Sequence, residues 1–556
     1  MRERLPGPVV KAAETLGVFA RRRPSVRELL RNRRSRFERL HAILPSTAAT
    51  GESLALTAQA WDQCERLMDG FTGTFRVETT DDAATTPRRL RFERDGGAVE
   101  EVSGFRFETP GVHYVTFTRV ETGERYVSNP VAVEESPPDE RLYWGDIHFH
   151  SRLSDGVGTP ESAYRFGRDV MALDVVACTD HDTMGFFIPP SWQRERMHRS
   201  YVDRLKDAAA AFDDPGEFVT LFAYEWTKQP NRGGHVNVYF DGVEEAPVFD
   251  SHDPETDTYE KLWARLREWD DSHATNVLTI PHHPAESMYP FDFSSVDYDD
   301  GMAPLVEVYS QWGSSERPGS AGNRRPLAMG QGEVDEAGHY AQDALELGNR
   351  VGFVAASDYH GPHPGHSLIH ARPHLPSLDD WRRGVGWGNV WRVWNERSYP
   401  GGLTAFRAPE LTRGAVFDAL GSRRVYGTTQ PDRILVSFDV DGVAPGEADS
   451  RAVLDAPDAD RTVTVDVAGT APLERLTVVK NNAAWRTWSG VDDPAAGLDA
   501  YTATATWVDD EAVTGMAWDD ERGTDDDVYY LRVRQADGGA AWAGPVWAGV
   551  GDEPGR

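Results

Sequence analysis

In the stretch YWGDIHFHSRLSDG, Tyr143 to Gly156, His148 and His150 stand two residues apart after a short apolar run, and Asp155 follows. In an extended strand residues i and i+2 point to one face, so the two imidazoles project together. Two imidazoles and a nearby carboxylate suit one divalent metal ion, but a single His-x-His is weak evidence alone. The chain repeats the pattern. His181 lies in CTDHD, Glu225 in AYEW, His235 in GGHVNVYF, His282 and His283 in IPHHP, and Asp358 and His360 in SDYHG. Imidazole and carboxylate are ligands for Zn, Mn or Fe. A carboxylate can bridge two ions where imidazole cannot, so the mixture favours a centre of two or three ions. Two ions a few Å apart activate a water and clamp both oxygens of a displacement.

Residues so far apart in sequence meet only if the fold brings strand ends to one face. From 140 to 432 short apolar runs alternate with helical stretches: DVVACTDHD, EFVTLFAYEW, HVNVYF, NVLTIPHHP, PLVEVYS and VGFVAASDYH. Apolar strands followed by helices predict an α/β architecture with largely parallel strands. Each run ends in metal-competent residues, as in a barrel whose chemistry sits at the carboxyl ends of its strands.

The flanks read differently. Residues 1–48 are expected to form an Arg-rich helical arm, with SVRELLRNRRSRFERLHAIL carrying apolar residues at helical spacing. Residues 49–136 alternate apolar and polar between turn residues, which predicts a small antiparallel sandwich. ESPPDE follows as a linker. Alternation returns over 433–556 and predicts a second β domain.

The ordered set GDIHFHS, SDG, TDHD, Glu225, His235, PHH and SDYH resembles the polymerase-and-histidinol-phosphatase (PHP) superfamily of metal-dependent phosphoesterases. WGDIHFHS, VEVYSQWGSSE and RVYGTTQPDRILVSFDVDG resemble its DUF3604 branch, and the resemblance spans 140–445. It implies a distorted seven-stranded (β/α) barrel, here flanked by N- and C-terminal small β-sandwich-like domains, with up to three ions. By motif, His148, His150, Glu225 and Asp358 would hold the first ion. Glu225, as the bridge, with His235 and His282 would hold the second. Asp155, His181 and His360 would hold the third. Glu225, Asp358, His360 and Asp155 are also assigned to catalysis. The position of Asp155 is often histidine in the family. PHH offers both His282 and His283; the resemblance favours His282, while aligning HHP with the family's HP selects His283.

Around these ligands, Asp146 and Asp180 are candidates for orienting imidazoles. Glu307 and Glu316 are read as supporting or structural groups rather than ligands, Cys178 as a buried strand residue, and His363, His366, His370 and His374 as a surface loop, with substrate contact as the alternative.

Composition narrows the function. The chain has 556 residues, more than one core accommodates, and Lys+Arg 58 against Asp+Glu 90 leaves a net charge of −32. Such an acidic chain repels phosphate backbones, so no nucleic-acid partner is expected. Lysine occurs only at 11, 206, 228, 261 and 480, an acidic, arginine-biased usage resembling that of salt-loving archaea. Cys64 and Cys178 form neither a disulfide framework nor a thiolate zinc site. No apolar run is long enough for a membrane span, no signal-peptide core appears, and a cytoplasmic location is expected. The expected function is metal-dependent hydrolysis of a small phosphorylated substrate by a metal-bound hydroxide at a di- or trinuclear centre. The alternatives are a metallohydrolase of a carboxylic ester, amide or carbamate, and a non-catalytic metal-binding scaffold.

Overall fold

The computed structural model describes residues 25–185, 188–329, 332–384 and 399–551. It is an α/β fold with a large mixed sheet and smaller sheets beside it. Residues 1–24 of the expected helical arm lie outside the described residues. What is described of it departs from the expectation. Ser25 caps a helix that covers only Val26–Arg31, and Phe37–Ile43 is a strand paired antiparallel with Leu54–Asp62. Its burial alternates, with Leu40 and Ala42 inward, because a ready-made partner strand rewards period two over helical spacing. The strands from Phe37 to Glu134 form three small sheets around a core that includes Leu56, Phe75, Phe117 and Val131.

The site-bearing strands are β1 (Arg141–Phe149), β2 (Val175–Cys178), β3 (Val219–Trp226), β4 (His235–Phe240), β5 (Val277–His282), β6 (Leu305–Ser310) and β7 (Gly352–Ala355). Pairing runs from β1 to β7 in chain order. It is parallel throughout except at β4, which is antiparallel to both β3 and β5. Just beyond β7 the chain bonds back to β1: Asp358 N donates to His148 O at 2.7 Å, and His150 N donates to Tyr359 O at 2.9 Å. β2 and β3 are buried along their whole length, as strands covered on both faces must be. Cys178 is buried at the end of β2, as expected.

Helix α1 (Pro160–Asp169) begins at a capping box on Thr159 and Ser162, with Pro160 in its first turn. It buries Ala163 and Tyr164. Helix α2 (Tyr259–Asp270) buries Leu262, Trp263, Leu266 and Trp269, an i, i+1, i+4, i+7 stripe.

Hydrogen bonds cross the expected boundary at 432. Strands β8 (Gly402–Ala408) and β9 (Val425–Thr429) continue the sheet from β1, and β9 pairs with β10 (Ala540–Val550) through Tyr426, Gly427 and Thr428. The C-terminal strands Leu473–Lys480, Ala483–Ser489 and Asp527–Gln535 extend that sheet further. Leu435–Val440, Arg461–Ala468 and Thr502–Asp509 form a separate sheet.

The segment expected to be a surface loop is not one. His363, His366 and His374 are buried, and the His366 ring stacks on Trp61 of the N-terminal strands at 4.1 Å. The loop is covered because the N-terminal sheets pack over it. No described helix is long and apolar enough to cross a membrane.

Candidate metal centre

Parallel strands deliver their carboxyl ends to one side. β1 brings His148 and, one residue past its end, His150. Their rings lie 5.3 Å apart on the shared face that strand alternation requires. β2 leads into His181, β3 carries Glu225, β5 ends at His282, and β7 leads into Asp358 and His360. His235 stands at the start of β4. Because β4 runs antiparallel, its start faces the others' ends, and His235 is the register partner of His282.

All nine ligand candidates converge and are buried. Glu225 sits at the middle, with one oxygen turned to each side. Its Oε2 lies 3.3 Å from His148 Nε2 and 3.1 Å from His150 Nε2. Its Oε1 lies 3.0 Å from His181 Nδ1, 2.6 Å from His235 Nδ1 and 3.5 Å from His282 Nε2. Asp358 Oδ1 is 3.5 Å from His148 Nε2 and 3.3 Å from His150 Nε2. Asp155 Oδ1 is 3.3 Å from both His181 Nε2 and His360 Nε2. Among the described residues, overlapping groups can each offer atoms to one ion: His148, His150 and Glu225; His148, His282 and Asp358; His181, Glu225 and His235; His235, His282 and His283; and His150, Asp155, His181 and His360. His282 and His283 both fall within these groups, so the geometry leaves both imidazoles of PHH in reach of an ion.

The donor atoms fit a cation. Both ring nitrogens of His150 and of His282, and His181 Nε2, are buried without a hydrogen-bond partner among the described residues. A buried imidazole nitrogen without a partner is costly, and a metal ion satisfies it. Electrostatics point the same way. Burial lowers His148, but Asp358 and Glu307 outweigh it and hold the ring well above its usual range. His181, lowered by burial, is raised by Glu225 and Asp155 to about 10. Burial pulls His282 and His360 down to about 4. Glu225, which burial alone would raise, is held well below the carboxylate range by His181, His282 and His235. The two raised rings show that the buried carboxylates favour positive charge here, and the neutral His282 and His360 beside ionised carboxylates are the forms that bind cations.

Backbone strain marks two residues of the cluster. Asp358 has φ 49° and His283 φ 35°, and such backbone persists where the surroundings over-determine it.

The supporting contacts match expectation at Glu307 and differ from it at Asp146 and Asp180. His148 Nδ1 is held by Glu307 Oε2 at 2.8 Å and His181 Nδ1 by Thr227 Oγ1 at 2.8 Å. His235 Nε2 faces the Lys228 carbonyl at 3.0 Å, and His360 Nδ1 the Asp358 carbonyl at 3.1 Å. Asp146 and Asp180 orient backbone instead of imidazoles. Asp146 accepts from Ser357 N and Gly365 N, and Asp180 from the amides of Ser151 and Ser154. Thr227 was findable: it is i+2 from Glu225 at the strand's end, on the same face. Glu316 is structural, bonded to Arg532, Tyr530 and Trp542.

Met184, Met288 and Tyr289 form a small apolar cluster, and the Tyr289 ring lies 4.3 Å from that of His235. A cavity of about 740 Å³ between the N-terminal strands and the 362–384 segment is lined by Trp61, Arg66, Phe166 and His366 and contains none of the nine residues.

The family-model comparison agrees with the DUF3604 part of the motif reading. Residues 171–304 match the family model described as DUF3604, protein of unknown function. An uncharacterized protein of Chlamydia pneumoniae is 25% identical over 450 residues, 79% of this chain and 62% of that protein. One of Chlamydia muridarum is 25% identical over 449 residues, with the same shares. The chain thus spans about three fifths of the length of these curated relatives. A crystal structure of a two-domain protein from Bacteroides vulgatus, described as containing a predicted PHP-like metal-dependent phosphoesterase, is similar at 13% identity and a TM-score of 0.34. The match covers 73% of this chain and 96% of that one.

Proposed function

We propose that this protein is a metal-dependent hydrolase of the PHP type that cleaves a phosphoester in a small molecule. The observation that carries the reading is the convergence of His148, Glu225 and Asp358, with ligand atoms 3.3 and 3.5 Å apart, on the end of a sheet where six further ligand candidates also meet. We read β1 to β7, with the 358–359 segment bonded back to β1, as the seven-stranded barrel.

His148, His150, Glu225 and Asp358 would hold one ion. Glu225, His235 and His282, with His283 beside them, would hold a second, and Asp155, His181 and His360 a third. Zn, Mn or Fe suit this donor set. Bound ions supply Lewis acidity and a water acidified enough to act as nucleophile. The chain's own residues fix the geometry. Glu307 and Thr227 lock two imidazoles so that their other nitrogens face the carboxylates. Glu225 offers an oxygen to each side and so ties two ligand groups together. Burial of the cluster excludes bulk water and strengthens every charge interaction inside it.

Glu225 and Asp358 pair with imidazoles rather than with Lys or Arg among the described residues, so no cationic side chain competes for these carboxylates. The test is a panel of chromogenic phosphomonoesters, phosphodiesters and carboxylic esters, with Mn or Zn added. Phosphoester turnover that chelator abolishes is the expected result. Turnover of carboxylic esters alone would move the assignment to the other hydrolase class, and no turnover with no bound transition metal would favour a scaffold.

A further inference from the structure

Away from the metal centre, a cavity of about 380 Å³ is lined by Arg317, Arg324, Arg325, Arg475, Arg532 and Arg534, with Glu316 and Glu474 as its acids. The formal excess of four positive charges stands out on a chain whose net charge is −32. Two elements build it. One is the segment after β6, and the other is the set of C-terminal strands Leu473–Lys480, Ala483–Ser489, Asp527–Gln535 and β10, with Tyr399 adding to the lining. None of the nine ligand candidates lines it, although the segment that forms one wall starts beside the cluster, where the Trp312 ring is 5.8 Å from that of His360.

Both acids are engaged. Glu316 accepts from Arg532 Nε at 2.9 Å, Tyr530 Oη at 2.6 Å and Trp542 Nε1 at 2.9 Å. Glu474 takes Arg534 and Arg324, the latter at 3.2 Å. Arg325 donates to Tyr309 Oη at 2.9 Å and to the Gly538 carbonyl. Arg317 and Arg475 have no carboxylate within ion-pair distance among the described residues, and the Nε atoms of Arg317 and Arg534 are buried without a hydrogen-bond partner. Burial and the neighbouring Arg532 lower Arg317 from its usual range. A fold gains nothing by gathering like charges around an enclosed space, yet planar guanidinium forks there suit an oxyanion ligand.

We propose that this cavity binds a small, multiply charged oxyanion of the phosphate-ester or pyrophosphate class, at a site separate from the metal cluster. The excess charge matches more than one anionic group, and the volume falls within the usual range for a small-molecule pocket.

Calorimetric titration of the full chain with pyrophosphate, and separately with citrate, tests this. The R324E/R475E double variant changes two exposed side chains and should fold, as its melting curve will report. It should bind pyrophosphate about tenfold or more weakly, because removing one charge-assisted hydrogen bond costs roughly that factor. The H148A variant, defective in the metal cluster, should retain the arginine-dependent binding, so failure of the metal reading and failure of this one give different results. Citrate should bind more weakly than pyrophosphate. Absence of wild-type binding, equal binding by R324E/R475E, loss of all binding in H148A, or tighter binding of citrate would overturn the proposal. If R324E/R475E melts early, crystals of the wild-type protein soaked in tungstate decide: an anomalous peak inside the cavity supports the site, and its absence there overturns it.

Discussion

His148 Nδ1 and Glu307 Oε2 lie 2.8 Å apart, both fully enclosed, which fixes the His148 ring with its Nε2 toward Glu225 and Asp358. Burial raises Glu307 to about 7 even though the His148 ring beside it lowers it. Replacing Glu307 by Ala leaves Nδ1 buried and unpaired. Metal affinity should fall about 10- to 100-fold, as when other residues that orient a ligand are removed. Glu307→Gln keeps an acceptor oxygen and should lose less. Competition with a calibrated chelator measures both.

Gly156 closes the turn that returns the chain to His150. A Cβ there would stand 2.2 Å from the His150 carbonyl oxygen and 2.6 Å from its carbon. Backbone cannot yield as a flexible side chain does, so Gly156→Ala should displace His150 and cut bound metal, while the far C-terminal strands keep their protection in hydrogen exchange. Wild-type metal content in Gly156→Ala would show that the turn tolerates the shift.

Trp61 links the N-terminal sheets to the 360–374 segment, with its indole Nε1 3.0 Å from Gln59 Oε1 and its ring on His366. Trp61→Ala should cost about 3–5 kcal/mol, typical of a buried aromatic truncation. Urea melts of the two proteins give the difference, and a change within about 0.5 kcal/mol, the usual range for surface sites, would mean the contact is incidental.

Much of the centre is legible in the residues alone. His148, His150, Glu225, Asp358 and His360 announce themselves because a strand end rich in imidazole and carboxylate has little structural reason to exist. Residues chosen for a backbone atom or for packing left no such mark. The carbonyl of Lys228 that holds His235 has no side-chain signature, and the shift of Phe37–Ile43 from helix to strand depended on a partner at Leu54–Asp62. The continuity of the sheet across 432 was invisible for a related reason. Alternation announces a strand but not which sheet it joins, and β10 joins β9. Asp146 and Asp180 misled because adjacency in sequence to a ligand is not adjacency in space.

Asp509 anchors the C-terminal strands by accepting from Arg461 at 2.9 Å, Lys480 at 2.8 Å and Tyr529. Burial would raise its pKa, but bonds from Lys480, Tyr529 and Arg461 depress it to about 2, below its ordinary 3.8. A depressed carboxylate stabilises the fold above its unfolded pKa, and that contribution disappears as pH falls through the folded one. The stability of the wild-type protein should therefore drop between about pH 4 and pH 2. Asp509→Asn should be less stable at neutral pH and should have a flatter profile in that acid window. Parallel slopes for the two proteins would exclude Asp509 as a source of acid sensitivity.

Anomalous scattering from crystals of the wild-type protein, at the edge of the metal that elemental analysis identifies, tests the central claim most directly. Two or three peaks are expected, one of them about 2.0–2.2 Å from His148 Nε2 and in contact with Glu225 and Asp358, and Asp358→Ala should lose that peak. Protein that retains phosphoester turnover with no ion at His148, Glu225 and Asp358 would contradict the account.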